Sequence, residues 1–167
     1  MKRFALMIPL ALGFSMPAAH ANEAEFLQSL SGNWSGSGIA RRSAEGNPIN
    51  INCESTSSAD GTSFQIDSTC RALAVVRQSV TATLTNTGGT EYQGTYTGPE
   101  GGQSALAGSR SGETIELNVT WAREVNGDNQ ARMQLQRTGE NGMVIRTIDT
   151  NAAGEDVVMS EVNLTRN

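Results

Sequence analysis

Turn-forming Gly, Asn, Asp and Ser clusters recur about every ten residues from Trp34 onward, and the segments between them alternate apolar with polar side chains. Side chains on an extended strand point to opposite faces in turn, so this alternation marks strands with one buried and one wetted face. The clearest runs are Val80, Ala82 and Leu84 against Thr81, Thr83 and Thr85, and Ile115, Leu117, Val119 and Trp121 against Glu116, Asn118 and Thr120. One-sided burial suits antiparallel pairing and argues against a parallel sheet, whose strands are buried on both faces. Strands are predicted near 34–41, 48–55, 64–71, 79–86, 91–97, 103–109, 113–122, 130–137, 143–150 and 157–165. The segment from Arg71 to Arg77 breaks the alternation, as a bend, bulge or turn would. Closing such a sheet into a barrel removes its exposed edges, and Gly36, Gly38, Gly94 and Gly108 inside strands permit the coiling that closure needs. The expected fold is all-β, a small antiparallel barrel of about 8–10 strands. Tyr92 and Tyr96 flank Gly94 on one face, a pattern suited to packing across a glycine kink. Ahead of the strands, Glu23 to Leu30 carries Phe26, Leu27 and Leu30 at helical spacing, with acids in the first turn and Gly32 as a stop, so one short N-terminal helix is expected.

The first 21 residues read as a secretory signal peptide: Lys2 and Arg3, an apolar run from Phe4 to Phe14, and Ala19-His20-Ala21 as a small-residue cleavage site. The barrel domain is then residues 22–167. It retains no His and no Lys, and its net charge is −7. Several function classes fall away with those side chains: Ser-His-Asp triads, Cys-His pairs, Schiff-base lysines and P-loop lysines. Two cysteines cannot make a structural zinc site, and haem lacks a histidine, leaving only Met133, Met143, Met159 or a tyrosine as axial ligands. Neither a metal nor a cofactor is expected. Nucleic acid is a poor partner for an acidic chain whose arginines are scattered. No second long apolar run follows the signal peptide, so no transmembrane segment is expected in the mature chain. The localisation expected is the periplasm, as a released, soluble protein.

An exported chain meets an oxidising compartment, which favours a disulfide between Cys53 and Cys70. The strand pattern supports the pairing independently. Ile49, Ile51 and Cys53 alternate with polar residues, as do Phe64, Ile66, Ser68 and Cys70. A hairpin with Asp60 to Ser63 as a four-residue loop sets Ala59 opposite Phe64 and Cys53 opposite Cys70, both cysteines pointing to the apolar face.

A short helix followed by Gly32-Asn33-Trp34 at the start of the first strand resembles the opening of lipocalins and related calycins. The resemblance implies that Trp34 plugs a closed barrel end beneath an arginine near the end of the last strand, here Arg166. The longer string Trp34-Ser35-Gly36-Ser37-Gly38, a cysteine on each of the next two strands, and Gly94-Thr95-Tyr96 are similar to small exported proteins of alphaproteobacteria, a likeness that implies no activity. The order from Leu30 to Trp34 followed by an early disulfide is also similar to periplasmic barrel inhibitors of secreted metalloproteases. That likeness implies an inhibitory N-terminal arm, here Asn22 to Ser29.

Carboxylates offer little catalytic promise. Glu113 and Glu116 lie three apart on a strand and so point to opposite faces, and Asp149, Glu155 and Asp156 surround a turn with no known calcium-loop spacing. No enzymatic activity is expected. Apolar binding remains, since a small barrel either fills its interior or holds one ligand, and Ala40, Ala82, Ala105 and Ala107 are small residues assigned to the inside. The expected lining is Phe64, Ile66, Leu84, Ile115, Leu117, Val119 and Trp121. The leading expectation is thus a periplasmic binding protein for a small hydrophobic or amphipathic molecule. The alternatives are a protein-binding module, such as a protease or lysozyme inhibitor, and an envelope interaction protein with no pocket.

Overall fold

The computed structural model describes residues 18–73, 76–99 and 101–167. Most of the expected signal peptide, residues 1–17, lies outside them. Helix α1 (Ala18–Ser29) leads into β1 (Gly32–Ala40), β2 (Ile49–Asp60), β3 (Ser63–Ala72), β4 (Val76–Gly88), β5 (Glu91–Thr97), β6 (Gln103–Ser111), β7 (Thr114–Val125), β8 (Asp128–Arg137), β9 (Gly142–Thr150) and β10 (Asp156–Arg166). Each expected strand forms, and the differences fall at the ends. Because α1 begins at Ala18, Glu23 and Glu25 lie in mid-helix and not in the first turn as expected. Glu23 meets long-range partners there, described below.

Every strand pairs antiparallel with its neighbour in sequence, and β1 pairs with β10 to close the barrel. In the β2–β3 hairpin, Cys53 faces Cys70 and Ala59 faces Phe64, as the alternation predicts. The loop is shorter than expected. Asp60 also pairs with Ser63, leaving Gly61-Thr62 as a two-residue turn opened by Gly61 at φ +58°. The irregular stretch from Arg71 to Arg77 is the β3–β4 turn: Ala72 pairs with Val76, and Leu73 takes a left-handed φ of 51°.

Closure bends the strands where they lack side chains. A Cβ built on Gly36 would lie 1.9 Å from the carbonyl oxygen of Asn163 on β10, so only glycine permits the β1–β10 seam to run this close. Inward residues form one continuous core in which Leu27, Leu30, Ile115, Val119 and Met143 are fully buried. Ala105 and Ala107, assigned to the inside from sequence, are exposed; Ser104 and Leu106 take the inward positions of β6. A sparse Ala-Leu-Ala alternation carries little polarity contrast, which is why it reads one residue out of phase.

Candidate functional site

In an antiparallel meander the starts of odd strands and the ends of even strands share one barrel end. Helix α1 lies across that end. Trp34, 1% exposed, donates its indole N–H to Ser57 Oγ at 2.9 Å, and the Ser57 hydroxyl donates to the Leu30 carbonyl at 2.6 Å. Arg166 lies directly across the β1–β10 pair with its guanidinium 4.2 Å from the Trp34 ring centroid. The same guanidinium donates to the carbonyls of Ser29, at 2.6 Å, and Ser31. A helix leaves its last carbonyls without intrahelical partners, and a cation there also complements the helix dipole. Arg166 therefore joins the last strand, the first strand and the helix terminus.

Further along α1, the Glu23 carboxylate accepts the Tyr92 hydroxyl at 2.5 Å and the Nε and Nη2 of Arg110 at 2.9 and 2.6 Å. Burial pushes the Glu23 carboxyl up, but hydrogen bonds from Arg110 and Tyr92 and the charge of Arg110 outweigh it and hold the group below its ordinary value. Burial and the Glu23 acceptor together push the Tyr92 hydroxyl well above its ordinary range. Arg110 stacks 4.5 Å over Phe26. Residues Asn22 to Ser29 are thus part of a helix whose Phe26 and Leu27 are buried against the barrel, not a projecting arm of the kind implied by the inhibitor likeness.

The opposite end opens onto a cavity of about 670 Å³, within the size range of small-molecule sites. It reaches from Ala40, Ile49 and Ala72 at the strand ends inward to Ile66 and Leu164. Two causes account for the space. Barrel diameter grows with strand number, and ten strands enclose more than the eight that side chains alone can fill. Four of the six aromatic residues after the expected cleavage point, Phe26, Trp34, Phe64 and Tyr92, are buried in the plugged end; only Tyr96 and Trp121 line the cavity. Those two pack edge to face with centroids 5.8 Å apart. Inward Ala82, Ser55 and Ser68 fill little volume. The Ser55 and Ser68 hydroxyls satisfy one another at 2.7 Å, beside a wall made partly by the Cys53–Cys70 disulfide.

Polar side chains line the cavity at several levels, Ser55, Ser68, Gln78, Ser104 and Thr147 among them. The Trp121 indole nitrogen is buried without a hydrogen-bond partner among the described residues. Burial raises the Tyr96 hydroxyl above its ordinary value, so it is a neutral donor. Arg41, Arg42, Arg123 and Asp149 reach the rim. Asp149 is only 4% exposed, and its carboxylate accepts from Asn126 Nδ2 at 2.6 Å and the Thr150 amide at 2.8 Å. Asp156 pairs with Arg132 and Glu155 with Asn151, so this acidic turn disperses its charges to separate partners. Glu113 pairs with Arg137, and Gln134 donates to Glu116.

Of the seven residues expected to line a cavity, Ile66 and Trp121 do so. Phe64, Leu84, Ile115, Leu117 and Val119 point inward but at the plugged level, where they are at most 3% exposed and form core. Ile51, Val80, Met133 and Ile145 take their place in the wall. Alternation identifies the inner face but says nothing of height along the barrel axis. Strand polarity carries that signal: Phe64 and Ile115 are each the second residue of an odd-numbered strand and so fall at the helix end.

The architecture is a ten-stranded closed antiparallel meander, plugged at one end by a helix, a tryptophan and an arginine and open at the other onto a cavity. Among solved structures, Rv2717c from M. tuberculosis superposes with a TM-score of 0.68 at 16% identity, over 87% of this chain and 97% of that one. The S-type phycobiliprotein lyase CPES from Guillardia theta superposes with a TM-score of 0.59 at 11% identity, over 86% and 91%. At these identities the likeness is one of fold. No family model and no curated protein matches the sequence. No helix among the described residues is long and apolar enough to cross a membrane.

Proposed function

We propose that this chain is an exported, non-enzymatic binding protein that holds a small hydrophobic or amphipathic molecule in the open-end cavity. The observation that carries the reading is the 670 Å³ cavity itself, where Ile, Val, Met, Ala, Tyr and Trp side chains are interspersed with Ser, Thr and Gln and meet arginines and Asp149 at the rim. Such a surface favours transfer of apolar area out of water at about 25 cal/mol per Å². The Tyr96 hydroxyl and the rim arginines suit a ligand with one polar end. Export to the periplasm is supported by the signal-peptide pattern and by the disulfide, which an oxidising compartment maintains. The absence of enzymatic activity is supported by a mature chain without His or Lys and by an Asp149 carboxylate already occupied by two donors.

Trp121 lines the cavity and Trp34 lies at the plugged end, so fluorescence separates them. Titration with fatty acids and non-ionic detergents is expected to quench the W34F variant saturably and to leave W121F unchanged. Native mass spectrometry of protein recovered from its periplasm is expected to show a bound mass. Absence of both a saturable response and a co-purified molecule would overturn the reading.

A further inference from the structure

One stretch of the cavity wall gathers hydrogen-bond donors. Cross-strand register sets Ala82 of β4 beside Tyr96 of β5, and Tyr96 beside Ser104 of β6. Trp121 of β7 completes the stretch: its ring packs edge to face with Tyr96, and the amide of the next residue, Ala122, donates to Ser104 Oγ at 3.3 Å. Three polar side chains thus meet on three successive strands, and each has a proton to give. The Trp121 indole N–H can only donate, and it is buried with no acceptor among the described residues. Ser104 Oγ already accepts from Ala122, which leaves its own hydrogen for another partner. Tyr96 stays protonated, because burial raises its hydroxyl above the ordinary value. The neighbouring positions leave it room. Ala82 offers only a methyl group, and a Cβ built on Gly98 would lie 3.0 Å from the Tyr96 ring and 3.4 Å from its hydroxyl oxygen, so glycine keeps that oxygen uncovered.

Charge is kept off this wall. The charged side chains that line the cavity, Arg41, Arg42, Arg123 and Asp149, stand near or just past the ends of odd-numbered strands, at the mouth. Asp149 is itself a buried anion. A carboxylate set against Tyr96, Ser104 and Trp121 would exchange its hydration for neutral donors, in a cavity that already holds that anion. An uncharged carbonyl has far less hydration to lose and accepts the same protons. We infer that the cavity selects an uncharged carbonyl compound, a ketone or an ester on an apolar body, whose carbonyl oxygen is held by Tyr96, Ser104 and Trp121. The inference rests on the cavity being a ligand site. The apolar body packs on Ala82 and on Ile66, its partner in the β3–β4 register. Trp121 Nε1 lies beneath the cavity surface, so the carbonyl reaches it with a turn of the Tyr96 ring packed against the indole. An unpaired buried N–H is costly, and pairing it with the carbonyl favours that turn. A fatty acid, with its carboxylate left among the rim arginines, binds without using this wall.

The test is calorimetric titration of the mature chain with naphthalenes that carry, at the same ring position, an ethyl, an acetyl, a methyl ester or a carboxylate group. The acetyl and ester compounds are expected to bind roughly tenfold more tightly than the ethyl compound, and the carboxylate no more tightly than the ethyl compound. In Y96F and in S104A the preference for acetyl over ethyl is expected to fall roughly threefold to fivefold. Both compounds are read on the same variant, so a change in folded fraction cancels in that ratio. With nitrogen-labelled tryptophan, W34F assigns the two indole N–H resonances. The acetyl compound is expected to move the Trp121 indole proton downfield of its position with the ethyl compound, and to leave Trp34 in place. Equal affinity for the acetyl and ethyl compounds overturns the proposal and leaves the cavity reading standing. A preference unchanged in both variants, or a carboxylate that binds as tightly as the ketone and depends on Tyr96, does the same. Failure of the whole series to bind faults the cavity reading, and the proposal falls with it.

Discussion

Arg166 faces Trp34 in the β1–β10 register and lays its guanidinium 4.2 Å from the indole centroid while donating to the carbonyls of Ser29 and Ser31. Removing it deletes a cation–π contact and strands two carbonyls at the end of α1. R166A is expected to lower stability by about 2–4 kcal/mol, measured as a fall in the urea midpoint, and R166K is expected to recover part of the loss.

The disulfide joins residues 17 apart in sequence. Cross-linking a loop of that length restricts the unfolded chain by about 3 kcal/mol, so C53A/C70A is expected to lose about that much. A phosphine reductant added to wild type should reproduce the effect in urea titrations. The free-thiol count of denatured, unreduced protein should be zero.

The pH dependence on the acid side follows from Glu23. Its folded value lies below the ordinary 4.5, so the carboxylate stabilises the fold above the unfolded value. The contribution is lost as pH falls through the folded value. Comparing urea midpoints across about pH 3–7, E23Q should be less stable at neutral pH by on the order of 2 kcal/mol and should lose less on acidification than wild type does.

Ala82 lines the cavity with only a methyl group. A82F fills space there without touching the plugged end. Binding of a fatty acid, followed by calorimetry, is expected to weaken at least tenfold, while thermal stability changes by under about 1.5 kcal/mol because the added ring enters an open site. Unaltered binding would move the ligand elsewhere.

A different kind of constraint is tested at Gly36, where a Cβ would meet the Asn163 carbonyl oxygen at 1.9 Å. G36A is expected to cost about 2 kcal/mol or more, since backbone and not a flexible side chain must move. Gly61, where a Cβ meets nothing but φ is positive, should lose less on substitution by Asn than by Ala.

Strand positions, the pairing of Cys53 with Cys70 and the helix were legible because each depends on local signals, a period of two, turn residues and a 3.6-residue repeat, whereas the count was narrowed only to about 8–10. The two-residue turn at Gly61-Thr62 was less so, because Asp60 and Ser63 read as loop but pair once the strands are in register. Glu23 with Arg110 and Tyr92 was not legible at all. Those partners lie 87 and 69 residues away, and no pattern near Glu23 distinguishes it from Glu25. The cavity was half legible, since alternation gives inside and outside while the level of the plug depends on where α1 comes to rest. The exposed, left-handed Leu73 went unread because loop composition elsewhere is polar and its exposure depends on a turn that broke the alternation.

Closure between β1 and β10 also sets an order of events. Every other pairing joins strands adjacent in sequence, whereas the Ser35 hydroxyl meets the Asn167 side chain across 132 residues. Hairpins between neighbouring strands need only short loops, whereas the seam requires β10 and the closure of a loop that spans the barrel, the costlier step in chain entropy. A chain clipped before β10 would leave β1 and β9 as open edges, the kind of surface that proteases and aggregation exploit. Strand β10 thus acts as the latch: the barrel shuts only once that strand is in place against β1.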